Sequence, residues 1–574
     1  MKAGEPLPLA ELRALSFSYP GAARRALNSC DLRVASGELV LVMGASGAGK
    51  TTLARCFNRA IPSYQHGALE GGLSIDGVDC SELEVADLAG VVGLVTQDFE
   101  AQLFSTNVLL EVAYGMEQLG VVRDEMVARV HDALRVVGLR GFERRDPSTL
   151  SGGEKQRLSI AAVVAMRPRL LVFDEPTTDL DPLGKVEIFE LLGRLRDGGM
   201  GIVLIEHETA AGHYADRVVL MSEGRVVEDG PAAEVLRRVD RLAQLGAPLA
   251  DLDALAEGLG FEGRFAAVED AVSWLRSRRF CGAAPGSTQP APTTAKPTGT
   301  GDVLVTLDEV RFSYAGGAPV LRDVSMAVRA GQRTALVGPN GSGKTTLCKH
   351  LNGLLHPVSG VVRVGGRDLA QLDLEDVATE VGYIFQNPDH QIFASTVREE
   401  VRFAGENIGL AEEEIRSRSE AAMAAVGLDD LEDADPFMLA KGHRQRLAVA
   451  SLLVLRPKLL ILDEPITGLD STEQRQMMDL LASLRSGGTS VLVITHTPWV
   501  VAEWSERCVA LEAGGIVFDG PTRDFLAASD IMRRCDFQPP DATRVGRGVG
   551  VFARSVGELL TAVAVPPPGS VDEV

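Results

Sequence analysis

Leu39-Val40-Leu41-Val42-Met43-Gly44-Ala45-Ser46-Gly47-Ala48-Gly49-Lys50-Thr51-Thr52 reads as an apolar strand, a glycine-rich turn and the opening of a helix. In that context backbone N–H groups and a helix N-terminus cradle phosphate. The same order returns as Thr334-Ala335-Leu336-Val337-Gly338-Pro339-Asn340-Gly341-Ser342-Gly343-Lys344-Thr345-Thr346. Lys50 and Lys344 would reach the β- and γ-phosphates of a nucleotide, and Thr51 and Thr345 would place a hydroxyl on Mg²⁺. The chain therefore carries its nucleotide-binding machinery twice.

Other landmarks keep the same register. Tyr19 and Tyr314 are 295 apart (314 − 19) and Lys50 and Lys344 are 294 apart. Gln97 and Gln386, Asp174 and Asp463, and His207 and His496 are each 289 apart. The first copy thus holds five extra residues (294 − 289) between its lysine and its glutamine, expected near Ser63–Gly67. A surface loop absorbs such an insertion cheaply.

A chain of 574 residues with 45% hydrophobic content is long enough for several domains with cores of their own. Its net charge of −22 (57 − 79), with no dense basic stripe, argues against nucleic acid as the main partner. Seven scattered cysteines show no Cys-x-x-Cys pair, so they are read as reduced thiols packed as small hydrophobes. No signal peptide is read at the N-terminus, and the longest apolar stretch, 447–462, is interrupted by Arg456-Pro457-Lys458. If the chain drives transport, the pore must belong to other chains.

Residues 281–302, rich in Pro, Thr, Ala and Gly, are expected to form a flexible linker. It divides a first domain, 1–280 (core about 9–230, tail 231–280), from a second, 303–574 (core about 303–520, tail 521–574). Within each, strand and helix patterns alternate, which argues for an α/β fold with a mainly parallel, helix-covered sheet. The run Glu412–Glu414 is read as a solvated helix face.

Each copy also contains an apolar strand ending in two carboxylates, Leu170 to Asp174-Glu175 and Leu459 to Asp463-Glu464. Asp174 and Asp463 would hold Mg²⁺ through its water shell, and Glu175 and Glu464 would orient or deprotonate the attacking water. His207 and His496 each follow a further apolar run, where an imidazole could reach a γ-phosphate. Repetition at one offset favours a functional over a structural histidine.

A phosphate loop alone leaves the nucleotide class open. Leu150-Ser151-Gly152-Gly153-Glu154-Lys155-Gln156-Arg157, shortly before the acidic strand, resembles the signature of the ATP-binding cassette (ABC) family. The resemblance covers nearly all of both repeats and implies two tandem P-loop ATPase domains, each with a helical signature subdomain and a small C-terminal tail. It also implies an adenine-stacking role for Tyr19 and Tyr314, a hinge and Mg²⁺-facing role for Gln97 and Gln386, and a following loop at Leu180-Asp181 and Leu469-Asp470. ATP and Mg²⁺ are the implied cofactors, with ATP bound between two cassettes paired within the chain.

A finer resemblance lies beyond the glutamines. Val381-Gly382-Tyr383-Ile384-Phe385-Gln386-Asn387-Pro388-Asp389-His390-Gln391 looks like the ATPases of energy-coupling factor (ECF) transporters, and Val92 to Gln102 gives a looser version. That group takes up vitamins, vitamin precursors or transition-metal ions. It implies a peripheral position on the cytoplasmic membrane face, a membrane-embedded coupling protein and a separate substrate-binding membrane protein. Glu100 and Asp389 are expected to accept arginines from the coupling protein. A twin ATPase of sugar or peptide importers is disfavoured by the Gln386–Gln391 segment. A twin-cassette translation factor is disfavoured by the acidic charge and the Pro/Thr-rich linker.

The second signature departs from the pattern. It reads Leu439-Ala440-Lys441-Gly442-His443, which removes the serine hydroxyl and leaves Gly442 and the helix N-terminus. The resemblance sets ATP on Lys50 against this weaker signature and ATP on Lys344 against Ser151–Glu154. Loss of Glu464 is therefore expected to hurt hydrolysis more than loss of Glu175.

Overall fold

The structure, a computed structural model, describes residues 8–22, 24–178, 180, 182–207, 209–238, 241–242, 251–261, 263, 265, 267–278, 301–314 and 317–563. Asp181, Cys281 and the expected linker up to residue 300 lie outside them. The chain divides into two compact units, one reaching Ala250 and one starting at Asp251, with Asp470–Thr472 grouped with the first.

The first unit contains strands β1 (Ala10–Ser18), β2 (Leu27–Val34), β3 (Leu39–Met43), β4 (Ala68–Ile75), β5 (Val78–Asp79), β6 (Val92–Val95), β7 (Leu170–Asp174), β8 (Gly201–Ile205), β9 (Arg217–Ser222) and β10 (Arg225–Pro231). They form an antiparallel sheet, β2-β1-β4-β5, and a larger sheet, β10-β9-β3-β8-β7-β6. The larger sheet is parallel except for β10. Its central strands are buried along their whole length, as a sheet covered on both faces requires.

Alternation along these strands builds two cores. Leu39, Leu41, Met43, Leu171, Phe173, Ile202 and Leu204 face one side with the helical region. Val40, Val42, Leu170, Val172, Val203 and Ile205 face the other, with β1, β2 and the helix Lys50–Phe57. The helical region consists of Val108–Gln118, Arg123–Val136 and Gly152–Ala165. Gly93 permits β6 to lie close to the last of these, since a Cβ there would stand 2.3 Å from Val163.

The second unit repeats the plan with β11 (Val303–Phe312), β12 (Leu321–Arg329), β13 (Arg333–Val337), β14 (Ser359–Val364), β15 (Arg367–Asp368), β16 (Val381–Ile384), β17 (Leu459–Asp463), β18 (Ser490–Ile494), β19 (Arg507–Glu512) and β20 (Gly515–Pro521). The sheets are β12-β11-β14-β15 and β16-β17-β18-β13-β19-β20. Its helical region is Val397–Asn407, Glu412–Val426 and Lys441–Leu453. Glu412, Glu413 and Glu414 stand in the first turn of their helix and pair with Arg402, Arg416 and Arg418. The extra residues of the first copy fall where the short helix Ala60–Ser63 stands before β4.

The tails differ from the expected division at residue 280. Ala232–Val235 packs on the first unit, where Val235 and Leu236 join the helical-side core. Asp251–Gly258 and Val268–Ser277 belong to the second unit, packed against Asp541–Gly548 and Val556–Ala562. Leu255, Phe265, Leu275, Val545 and Leu559 share one core. Helix pairs this short have too little apolar surface to make a core of their own, so the two tails complete each other. The Arg276 guanidinium adds hydrogen bonds to the Gly548 carbonyl at 2.6 and 3.1 Å. Among the described residues six cysteines are free and buried, as the sequence suggests.

Candidate active site

In each copy the strand leading into the phosphate loop lies one strand away from the acidic strand, with the histidine-bearing strand between them. All three end on the same edge, which gathers their C-terminal residues. Gly44 (φ 152°) and Gly49 (φ 99°) shape the first loop. A Cβ would meet the Met221 carbonyl at 2.3 Å in one case and the Ala26 carbonyl at 2.4 Å in the other, so only glycine fits. Gly338 repeats the first constraint against Leu511.

Lys50 Nζ donates to the carbonyls of Gly44 (2.8 Å) and Ala45 (3.0 Å), and Lys344 Nζ to those of Gly338 (2.7 Å) and Pro339 (3.0 Å). Each ammonium thus spans its own loop. Thr51 Oγ1 donates to Asp174 Oδ1 at 3.1 Å, and Thr345 Oγ1 to Asp463 Oδ2 at 2.8 Å. A hydroxyl and a carboxylate side by side are hard oxygen donors of the kind Mg²⁺ takes. Burial, reinforced by Glu175, raises the Asp174 carboxyl to about 6 despite the bond from Thr51. Burial raises Asp463 as well.

Glu175 and Glu464 are buried and left-handed, at φ 52° and 48°. Their N–H groups donate to Ile205 and Ile494 at 3.0 Å, which fixes the turn that aims each carboxylate. Glu175 accepts from Gln97 Nε2 at 2.8 Å and meets His207 Nε2 at 2.6 Å; Glu464 meets His496 Nδ1 at 2.7 Å. Glutamine, glutamate and histidine therefore form one cluster in the first copy. Gln386 is exposed in the second. Tyr19 and Tyr314 contact the loop helices through Thr52 (3.1 Å) and Thr346 (3.2 Å).

Ser151 and Gly152 stand exposed at the N-terminus of the helix Gly152–Ala165, with Gly153 half-buried behind them. Ser151 Oγ accepts from the Glu154 N–H at 3.4 Å, while Glu154 Oε2 accepts from the Ser151 N–H at 2.8 Å, a reciprocal cap. Ala440 has the same backbone conformation and no side-chain cap. At Gly442 an added Cβ would meet the Glu473 carboxylate at 2.6 Å.

Glu100 and Asp389 already have cations from their own copies. Lys155 Nζ lies 2.5 Å from Glu100, and Arg444 Nε 2.6 Å from Asp389. Both cations come from the signature helices, again 289 apart (444 − 155). Two further groups escape the sequence. Buried Glu206 accepts from the N–H and hydroxyl of Thr177 and from the His207 N–H, joining the loops on either side of the cluster. Tyr383 donates to Asp463. Their counterparts are Thr495 and Leu94, so repetition does not flag them.

Both halves match a family model, that of the ABC transporter, over residues 27–178 and 321–467. A provisionally named ABC transporter ATP-binding protein of Caldanaerobacter subterraneus subsp. tengcongensis is 39% identical over 96% of this chain and 98% of its own length. A provisionally named relative in Methanosarcina acetivorans is 36% identical over 96% of this chain and 92% of its own. Among solved structures, CbiO1 of Clostridium perfringens, titled as part of the ABC transporter complex cbiONQ, is 30% identical with a TM-score of 0.38, over 43% of this chain and 98% of its own. Two phosphate loops, two acidic strands and two family matches lead to one conclusion: the chain belongs to the ABC transporter family, as an ATPase with two ATP-binding cassettes.

Proposed function

We propose that this ATPase energises solute uptake by an energy-coupling factor type transporter, bound to the cytoplasmic face of a membrane through a membrane-embedded coupling protein, with a separate membrane protein binding the solute. The observation that carries the reading is a repeated apolar face beside each hinge segment. Phe104 and Tyr114 meet edge to face at 4.6 Å, and Phe393 and Phe403 at 4.5 Å, all four exposed. In the second cassette the pair borders a cavity of about 400 Å³ lined also by Leu374, Ile408, Leu452 and Leu455. Exposed aromatics around an apolar pocket suit an amphipathic helix laid into a groove. Among the described residues no helix is long and apolar enough to cross a membrane; in this reading the docking helix belongs to a membrane partner. The motif Gln386–Gln391 leads into the same face.

In this reading Lys50 and Lys344 neutralise the β- and γ-phosphates, and loop N–H groups hold them. Thr51, Asp174 and Gln97 in the first cassette, and Thr345, Asp463 and Gln386 in the second, would hold Mg²⁺, which would supply charge neutralisation when bound. Glu175 and Glu464 orient the attacking water and draw its proton toward their carboxylates. His207 and His496, beside those carboxylates, reach for the γ-phosphate. In this reading the first signature, with its exposed Ser151 hydroxyl and helix N-terminus, closes over a bound ATP, and the second, which starts at Ala440, closes without a hydroxyl. Tyr19 and Tyr314 stack on adenine.

The test is purification of the tagged full chain from its native membranes. We expect two membrane proteins to accompany it. The quadruple variant Phe104→Ser, Tyr114→Ser, Phe393→Ser, Phe403→Ser is expected to lose both while still binding ATP. Co-sedimentation with ribosomes, or unchanged membrane partners in the variant, would overturn the reading.

A further inference from the structure

The two cassettes keep their phosphate-facing residues in register, yet the second carboxylate site has a donor that the first lacks. On β16, Tyr383 is in register with Ile461 of β17; on β6, Leu94 is in register with Val172 of β7. Ile461 and Val172 are themselves 289 apart, so the two backbones match and only the side chain differs. Tyr383 is 7% exposed, its ring is turned edge to face against Phe385 at 5.2 Å, and its hydroxyl donates to Asp463 Oδ2 at 3.1 Å. The same oxygen accepts from Thr345 at 2.8 Å. Asp174 accepts from Thr51 at 3.1 Å, and the leucine opposite it has no hydroxyl to add.

Two donors converging on one carboxylate oxygen fix the rotation of the whole group. Oδ1 of Asp463 then keeps a set direction, whereas Asp174 is held from one side. A buried phenol needs a partner for its O–H, and Asp463 is the one it has. Exchanging Tyr383 for leucine would free the carboxylate to turn. Hydrogen bonds to a ligating carboxylate orient it toward its metal, and their loss costs roughly 10- to 100-fold in affinity.

We infer that Tyr383 is a positioning residue which holds Asp463 for Mg²⁺·ATP and makes the second cassette the tighter metal site of the two. The inference rests on the reading that Asp463 faces the nucleotide-bound metal. It predicts that the unequal cassettes differ in metal affinity even before the partner signatures act. The difference is built into β6 and β16, at a position of the hinge segment where the two cassettes diverge.

The experiment measures Mn²⁺ binding to the full chain by electron paramagnetic resonance with a non-hydrolysable ATP analogue. Lys50→Ala isolates the second site. Tyr383→Phe, which keeps the ring, and Tyr383→Leu, which copies the first cassette, are expected to weaken Mn²⁺ roughly tenfold while analogue affinity in EDTA stays unchanged. In the converse background, Lys344→Ala, Leu94→Tyr is expected to tighten the first site. Asp463→Asn separates the two readings. If it leaves Mn²⁺ binding intact, the metal assignment itself fails. If it abolishes binding while both Tyr383 variants bind as the parent does, the role of Tyr383 is overturned.

Discussion

Asp174 carries a conflict between the proposed task of holding Mg²⁺ and its buried surroundings. Its carboxyl stands at about 6 against an ordinary 3.8, chiefly because of burial and next because of Glu175. The folded chain therefore binds more protons than the unfolded chain between these values, and stability falls as pH rises through the window. Above pH 6 the full penalty applies, on the order of 3 kcal/mol for a shift of this size. Asp174→Asn is expected to raise the melting temperature in EDTA at pH 7.5, with the gain fading to nothing near pH 4. An equal gain at both pH values would mean that charge is not its cause. The residues that repeat as a type, such as Lys50 with Lys344 and Glu175 with Glu464, were legible as members of one site because each recurs at the same place in its copy. Glu206 and Tyr383 were not, because a buried acid and a tyrosine on a strand announce nothing until their partners fold beside them.

At the scale of elements the strands were the most legible, since central parallel strands demand unbroken apolar runs. The second, antiparallel sheet in each cassette was hidden, because β4 and β14 are half-exposed and lack such runs. The signature helices show how one residue alters an element. Ser151 caps its helix reciprocally with Glu154, whereas Ala440 starts a helix with the same backbone angles and no cap. Ala440→Ser should supply an acceptor for the His443 N–H and stabilise the second helical region by about 1 kcal/mol. Hydrogen exchange at the amides of residues 442–444 would slow accordingly. Unchanged exchange would show that the first turn is held by Glu473 and its neighbours instead. The pairing of Glu100 with Lys155 and of Asp389 with Arg444 spans 55 residues in each cassette (155 − 100; 444 − 389). Spacing of that length reveals the acids and the bases but not that they meet.

For the whole molecule, composition set the expected boundary at 281–302, whereas the compact units divide at residue 250, because composition cannot tell which unit each tail joins. Leu255, Phe265 and Leu275 are apolar in any context; their neighbours Val545 and Leu559 lie nearly 300 residues onward. A protease site placed between residues 285 and 295 tests what this core does. After cleavage the two fragments should still elute together in EDTA without nucleotide, and Leu275→Asp with Val545→Asp should release them. Separation of the cut parent would show that the shared core is too weak to hold the halves. The pairs at Glu100 and Asp389 have a consequence of another kind. An arginine arriving from outside finds each acid already neutralised, so arrival is an exchange and not an addition, and the number of ion pairs is conserved. Such an exchange gains little from Coulomb attraction and depends weakly on ionic strength. What it does change is the cation set loose, Lys155 or Arg444, within the first two turns of the helix that carries the signature.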